Sequence, residues 1–193
     1  ILKNKKISLR YGVIDLDRTI SGYLKGNYNE STDKFETHNG NTVSGWRNFH
    51  WKSKHSSVSI ELPPEITSKV SADGKSPITS DSRVHTITHV LLNASKILTK
   101  SESNDIDAYY EKGVIYLYDN SSDGYNGCSK IIYDKFTEIL KACFSLINDC
   151  DCSKDKDEEW GGCPKCTFTT NYCQTKNRQL SKDKAKKFFS EII

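Results

Sequence analysis

The stretch NDCDCSKDKDEEWGGCPKC, running from Asn148 to Cys166, holds four cysteines as Cys-x-Cys, ten intervening residues and Cys-x-x-Cys. The spacing reads as a zinc site of Cys150, Cys152, Cys163 and Cys166. Four thiolates suit a closed tetrahedral structural site, with no open position for water or substrate. Two short cysteine pairs joined by a small polar loop can wrap one ion without a large core. Gly161 and Gly162 permit a tight turn, and Pro164 stiffens the second knuckle. Two disulfides fit less well. The chain has seven cysteines, an odd number, and no secretory signal at Ile1. A disulfide across Cys-x-Cys would also be strained. A redox Cys-x-x-Cys normally opens a helix after a strand, and Pro164-Lys165 followed by Thr167-Phe168-Thr169-Thr170 does not read that way.

Outward from the cysteines, the pattern has a helical period on both sides. Before them, Ile132, Phe136, Ile139, Leu140, Cys143 and Ile147 recur at three- and four-residue steps, which predicts one core helix from Cys128 to Ile147 that delivers the chain to Cys150. After them, a last helix starts near Ser181, its cap, with Asp183 in the first turn and Ala185, Phe188, Phe189 and Ile192 on the apolar face. Further upstream, Ile87, Val90, Leu91, Ala94 and Leu98 share one face of a helix over 84–98, with Asp81 or Ser82 as cap. Between these helices a polar loop covers Lys100–Asp107, and GVIYLYD (113–119) reads as a strand buried on both faces. The N-terminal half has strand alternation instead: Ile7, Leu9, Tyr11 and Val13, then Thr42–Trp51, then Val58, Ile60 and Leu62 up to Pro63-Pro64. Asn39-Gly40 is a strong signal for a tight hairpin turn. Residues 65–82 carry Gly, Ser and Pro and read as the boundary. The expectation is an α+β chain: a β-rich subdomain over 1–70, then a mainly helical domain over 71–193, stapled by a four-cysteine zinc site.

Composition narrows the classes. Hydrophobic residues are 35% of 193 and the net charge is +3, so the core is thin and the overall charge neither demands nor excludes nucleic acid. No apolar run approaches the roughly 20 residues needed to span a membrane. The chain starts at Ile1 and has no methionine, which predicts a piece of a longer protein. Seven cysteines without an export signal fit a reducing, intracellular compartment, cytoplasm or nucleoid.

Three pieces in this order make a recognisable set: GVIYLYDNSSDGYNGCSKIIYDKF, the cysteine cluster ending in GGCPKC, and the closing LSKDKAKKFF. Together with SRVHTITHVLLNASKIL they resemble the zinc-binding C-terminal domain of MrfA-type DNA-repair helicases, which are superfamily 2 DEAD/DEAH-box enzymes. A related domain occurs in the DrmB component of DISARM defence systems. The resemblance covers about Ser82 to Ile193, and the cysteine signature is its specific part. One departure is clear: the family follows the strand aspartate with Pro-Gly-Gly-x-Gly, whereas Asp119 here is followed by Asn-Ser-Ser-Asp-Gly-Tyr-Asn-Gly. The resemblance implies a C-terminal accessory region of an ATP-dependent DNA helicase, with structural zinc as cofactor and DNA, single-stranded, as partner beside the helicase core. ATP binding and hydrolysis would belong to the parent protein. No Gly-x-x-x-x-Gly-Lys-Ser/Thr loop stands in these residues, so this piece has no motor of its own. The alternative is a motor-less interaction subunit of a DNA-targeting defence complex. A stand-alone zinc enzyme is disfavoured, because four cysteine ligands leave no catalytic position.

Other residues carry sharper and plainer readings side by side. SGWRNFHWKSK (44–54) interleaves aromatic and basic residues, as single-strand binders do, and makes Trp46, Arg47, Trp51 and Lys52 the candidate nucleic-acid contacts. An ordinary strand with Trp46 turned inward is the plainer reading of the same stretch. His85 and His89 stand one helical turn apart but lack the glutamate of a metalloprotease helix, so packing or hydrogen bonding suits them better. Asp119 is expected to cap the loop after its strand. Cys143 fits the core face of its helix, while Cys173, shortly after Cys166, is the cysteine that could replace one of the four ligands, a reading that breaks the two-pair pattern. Lys182, Lys184, Lys186 and Lys187 read as a solvated helix face.

Overall fold

The structure, a computed structural model, describes residues 7–20, 23–29, 34–43, 49–67, 82–154, 162–170 and 180–193. Its order is α+β as expected: strands β1 (Ser8–Ile20), β2 (Tyr23–Asn29), β3 (Lys34–Val43) and β4 (Phe49–Glu61) precede most of the helices. The chain divides into two compact units, Asp15–Lys54 and the combination of Ile1–Ile14 with His55–Ile193.

In the smaller unit β2 and β3 pair antiparallel. Asn39-Gly40, expected to turn a hairpin, lies inside β3 instead. The register slips between Gly26↔Thr37 and Leu24↔Thr42, so residues 38–41 stand opposite Lys25 alone. A bulge absorbs the extra residues because ladder pairs on both sides hold the strands together.

A four-stranded sheet has the order β1, β4, β6 (Val114–Asp119) and β5 (Ile106–Glu111), and the larger unit holds β1 up to Ile14, β4 from His55, and all of β6 and β5. The sheet therefore takes strands from both sides of residue 70. Strand β5 was not foreseen. It pairs with β6 from Ile106↔Asp119 to Glu111↔Val114, and Lys112 and Gly113 make the two-residue turn with φ of 48° and 88°. Both turn residues are left-handed, which matches the twist of a tight hairpin. The cross-strand pairs Val58↔Leu117 and Ile60↔Ile115 face the core, and all four residues are buried. The other face of β6 is only half-buried at Val114 and Tyr116, so burial on both faces is not reached there. The reason is that helices cover one side of this antiparallel sheet. Pro63 and Pro64 end β4 as expected, and Pro64 opens the short helix α1 (Pro64–Thr67), where a missing N–H costs nothing.

Helix α2 (Ser82–Thr99) is the hub, touching β5, α3 (Cys128–Asp134), α4 (Phe136–Asn148) and α5 (Lys182–Ile192). It is buried almost all round, beyond the single face read from its period: Thr86, Thr88, His89 and Ser95 join Val84, Ile87, Val90, Leu91, Leu92 and Ala94. The Thr86 and Thr88 hydroxyls donate to the carbonyls of Ser82 (2.5 Å) and Val84 (2.9 Å), so burial leaves them satisfied. The helix expected over 128–147 is two helices, broken at Lys135 (φ −111°, ψ 25°). The apolar stripe does not show the break, because Ile132, Phe136 and Ile139 stay in step across it. Ile139, Leu140, Cys143 and Ile147 of α4 meet Ala185, Phe188, Phe189 and Ile192 of α5 in one core. No described helix is long and apolar enough to cross a membrane.

Asp119 ends β6, fully buried, and does the capping work read from its position. Its carboxylate accepts the backbone N–H groups of Asn126 (3.1 Å), Gly127 (2.9 Å) and Ser129 (2.7 Å), which are donors at the start of α3. Gly124 and Gly127, with φ of 75° and 84°, bend the loop back to it.

Candidate metal centre

Helix α4 stops at Asn148, and Asp149 still donates its N–H to the Ser145 carbonyl at 2.9 Å. The chain then passes Cys150 and enters a 3-10 turn, Asp151–Lys154, that carries Cys152. The second pair sits on a knuckle at Cys163–Phe168. The Cys163 carbonyl accepts the N–H groups of Cys166 (3.3 Å), Thr167 (2.9 Å) and Phe168 (3.0 Å). Lys165 N–H points at the Cys163 sulfur, 3.3 Å away. A peptide N–H aimed at a cysteine sulfur stabilises the thiolate.

The four Sγ atoms of Cys150, Cys152, Cys163 and Cys166 lie within 4.8 Å of one another. Cys150 and Cys163 are 3.8 Å apart, as are Cys152 and Cys166. A tetrahedron with zinc–sulfur bonds of about 2.3 Å has sulfur–sulfur edges of about 3.8 Å. Disulfide sulfurs would be about 2.05 Å apart. Distances and donor set therefore fit structural zinc, and they do not fit paired cystines. The cluster also shows the charge conflict that a dication resolves. Burial pushes the Cys166 thiol up, and the neighbouring sulfurs of Cys152 and Cys163 add to it. Cys150, against its own burial, is held at about 7 by hydrogen bonds with the Cys152 backbone and the other three sulfurs. A zinc ion held by Cys150, Cys152, Cys163 and Cys166 would take the place of the protons and stabilise all four thiolates together. Among the described residues these four cysteines are the group able to hold a metal.

A supporting shell holds the knuckle, and the spacing of cysteines gave no sign of it. Thr167 Oγ accepts the Cys163 N–H at 2.6 Å and donates to the Cys163 carbonyl at 3.2 Å. From α2, His89 Nδ1 donates to the Thr167 carbonyl (3.0 Å) and Asn93 Nδ2 donates to that of Phe168 (2.8 Å). His89 thus has the hydrogen-bonding role preferred for it, and the His85 ring packs edge-on against it at 4.3 Å. From α5, Lys182 Nζ reaches Cys152 Sγ at 2.8 Å. This corrects the solvated-face reading for Lys182, while Lys184, Lys186 and Lys187 are exposed. Cys143 is buried in the core, where burial pushes its thiol up, and Cys173 lies outside the described residues.

Gly162 is required for space. A Cβ there would sit 2.7 Å from Leu180 Cδ1, 2.8 Å from Phe168 Cε1 and 2.9 Å from Thr167 Oγ. Thr167 cannot give way without releasing Cys163. Gly162→Ala is expected to cost about 1–3 kcal/mol in thermal unfolding and to speed zinc loss to a chelator. An unchanged melting curve would show that the knuckle is looser than these distances.

The nucleic-acid candidates lie in the smaller unit. Trp51 on β4 is 42% exposed. Lys52 is exposed with Nζ 3.6 Å from Asp17, and His50 also bonds Asp17. Trp46 and Arg47 lie outside the described residues.

Residues 87–167 match the family model of the MrfA Zn-binding domain, a span that includes all four clustered cysteines. No curated protein matches. Among solved structures, a crystal structure of the DUF1998 helicase MrfA bound to DNA superposes with a TM-score of 0.53 at 17% identity, over 98% of this chain and 25% of that one. The same helicase bound to DNA and AMPPNP gives 0.51 at 16% identity, over 96% and 22%. The chain thus spans about a quarter of the length of the helicases whose fold it shares. The resemblance read from the cysteine signature and its flanking helices is the one these comparisons return.

Proposed function

We propose that this chain, similar over residues 87–167 to the MrfA Zn-binding domain, is the C-terminal zinc-binding accessory region of an ATP-dependent DNA helicase. The observation that carries this reading is a four-cysteine cluster set in a fold that follows MrfA along 98% of the chain. Cys150, Cys152, Cys163 and Cys166 would hold the zinc. The ion supplies a cross-link and charge neutralisation and leaves no open coordination position. The chain's own residues do the rest. His89 and Asn93 fix the knuckle to α2, and α4 and α5 pack against α2 and each other. The result is a firm body on which a motor can bear and along which a strand can be guided. DNA contact falls to Trp46, Arg47, Trp51 and Lys52, with aromatic faces stacking bases and the cations meeting phosphates. A place inside the cell, in cytoplasm or nucleoid, goes with such a partner.

The test is fluorescence anisotropy with a labelled single-stranded oligonucleotide at several salt concentrations. Affinity should fall steeply with salt. Trp51→Ala should weaken binding by about 1–3 kcal/mol, and Lys52→Ala should flatten the salt slope by about 0.7. Salt-independent or absent binding by a zinc-loaded chain would move the assignment to a protein-binding platform in a motor-less complex.

A further inference from the structure

Lys182 is the first residue of α5, and its half-buried side chain turns back onto the cysteine cluster. Nζ lies 2.8 Å from Cys152 Sγ and 3.3 Å from the Cys150 carbonyl oxygen. The next lysine on the helix, Lys184, reaches Ser82 Oγ at 3.2 Å and stays exposed. Beside Lys182, the Ser181 N–H donates to Thr86 Oγ at 2.7 Å. The start of α5 is therefore held between α2 on one side and the sulfurs on the other.

Charge explains why a lysine belongs there. Four thiolates around one dication leave a net charge of about −2. Cys163 and Cys166 are buried while Cys150 and Cys152 are half-buried, so water solvates only part of that charge. An ammonium donating to one metal-bound sulfur offsets part of it, and the positive end of α5 adds to the effect. Farther along, α5 is fixed differently, by Ala185, Phe188, Phe189 and Ile192 in the core. Its first turn is the part that reaches the cysteine cluster.

We propose that Lys182 is an outer-sphere positioning residue of the zinc site, donating to the Cys152 thiolate so that it slows zinc loss and ties the first turn of α5 to metal occupancy. This rests on the zinc reading of the cluster and extends it to a residue outside the cysteine signature. The interaction works in both directions. Zinc holds Cys152 where Lys182 can reach it, and Lys182 holds the site closed.

The experiment uses the zinc-loaded 193-residue chain and the variants Lys182→Met, Lys182→Arg and Lys184→Met. Zinc transfer to an excess of a chromophoric chelator gives the release rate, and hydrogen exchange reports the amides of 182–186. Lys182→Met should release zinc about tenfold faster, the usual scale for an outer-shell partner. Lys182→Arg and Lys184→Met should stay close to the original rate. Chelation should strip protection from the first turn of α5 and leave that around Phe188 and Phe189 largely intact. Should Lys182→Met not be recovered folded, Lys182→Gln keeps the stem without the charge and should show the same acceleration. A zinc-loaded Lys182→Met or Lys182→Gln chain with unaltered release would overturn the proposal, as would Lys184→Met with equal acceleration. A parent chain that binds no zinc would instead overturn the metal reading on which it rests.

Discussion

Cys163→Ser is expected to take the chain from one bound zinc to almost none, measured by elemental analysis, and to lower the melting temperature more than any other single change considered. Cys163 is at the centre of the knuckle. Its sulfur meets Cys150 at 3.8 Å, its carbonyl accepts three N–H groups, and its own N–H is bound by Thr167. Serine preserves the size and the backbone contacts, so the loss is confined to the metal bond. Apparent zinc-binding free energies of about 10–16 kcal/mol in small zinc domains are at the same time folding free energies. Here the core of α2, α4 and α5 is built from residues outside the cysteine cluster, so the expected result is local loosening over 148–173. The end of α4 at Ile147, the core residue nearest the cysteines in the chain, should then become more accessible, seen as binding of a hydrophobic dye. Cys128→Ser, a half-buried thiol outside the cluster, should retain full zinc. A Cys163→Ser chain with full zinc and an unchanged melting temperature would contradict the assignment.

Asp119→Ala is expected to be the most destabilising change away from the metal, by about 3–5 kcal/mol, because three backbone donors lose a charged acceptor at once. Asn126, Gly127 and Ser129 all bond this carboxylate at 2.7–3.1 Å, and Ser129 is buried where water cannot replace the oxygen. For a chain of this size that is a fall in melting temperature of roughly 10 °C. Asp119→Asn should lose less but still measurably. Its amide offers one acceptor oxygen, and its NH₂ must face either Ser129 N–H or the pair from Asn126 and Gly127. Equal stability of Asp119→Ala and the parent would mean that the loop repacks with water at the start of α3. Zinc content should not change in either variant, which separates this effect from that of Cys163→Ser.

Much of the architecture was legible because it depends on local order. The three- and four-residue spacing of Ile139, Leu140, Cys143 and Ile147 marks a helix whatever it packs against. The β5 strand was also within reach, since Ile106, Ala108 and Tyr110 alternate ahead of Lys112-Gly113, but a lysine rarely announces a left-handed turn. Asn39-Gly40 failed for the opposite reason. Its turn propensity is strong, yet the ladder to β2 on either side kept the strands paired and turned the extra residues into a bulge. The all-round burial of α2 was hidden because Thr86, Thr88 and His89 look polar until their partners are known.

The same division holds at the metal centre. Cysteine spacing by itself picked out the four candidate ligands and their closed geometry, and with the flanking strand and helices it carried the likeness to a zinc-binding helicase domain, because thiolates bind zinc in a pattern short enough to be written along the chain. Only the tertiary structure decided what surrounds them. His89 and Asn93 come from α2 and Lys182 from α5, each separated from the sulfur or carbonyl it serves by tens of residues, and hydrogen bonds of that reach exist only once the helices have packed.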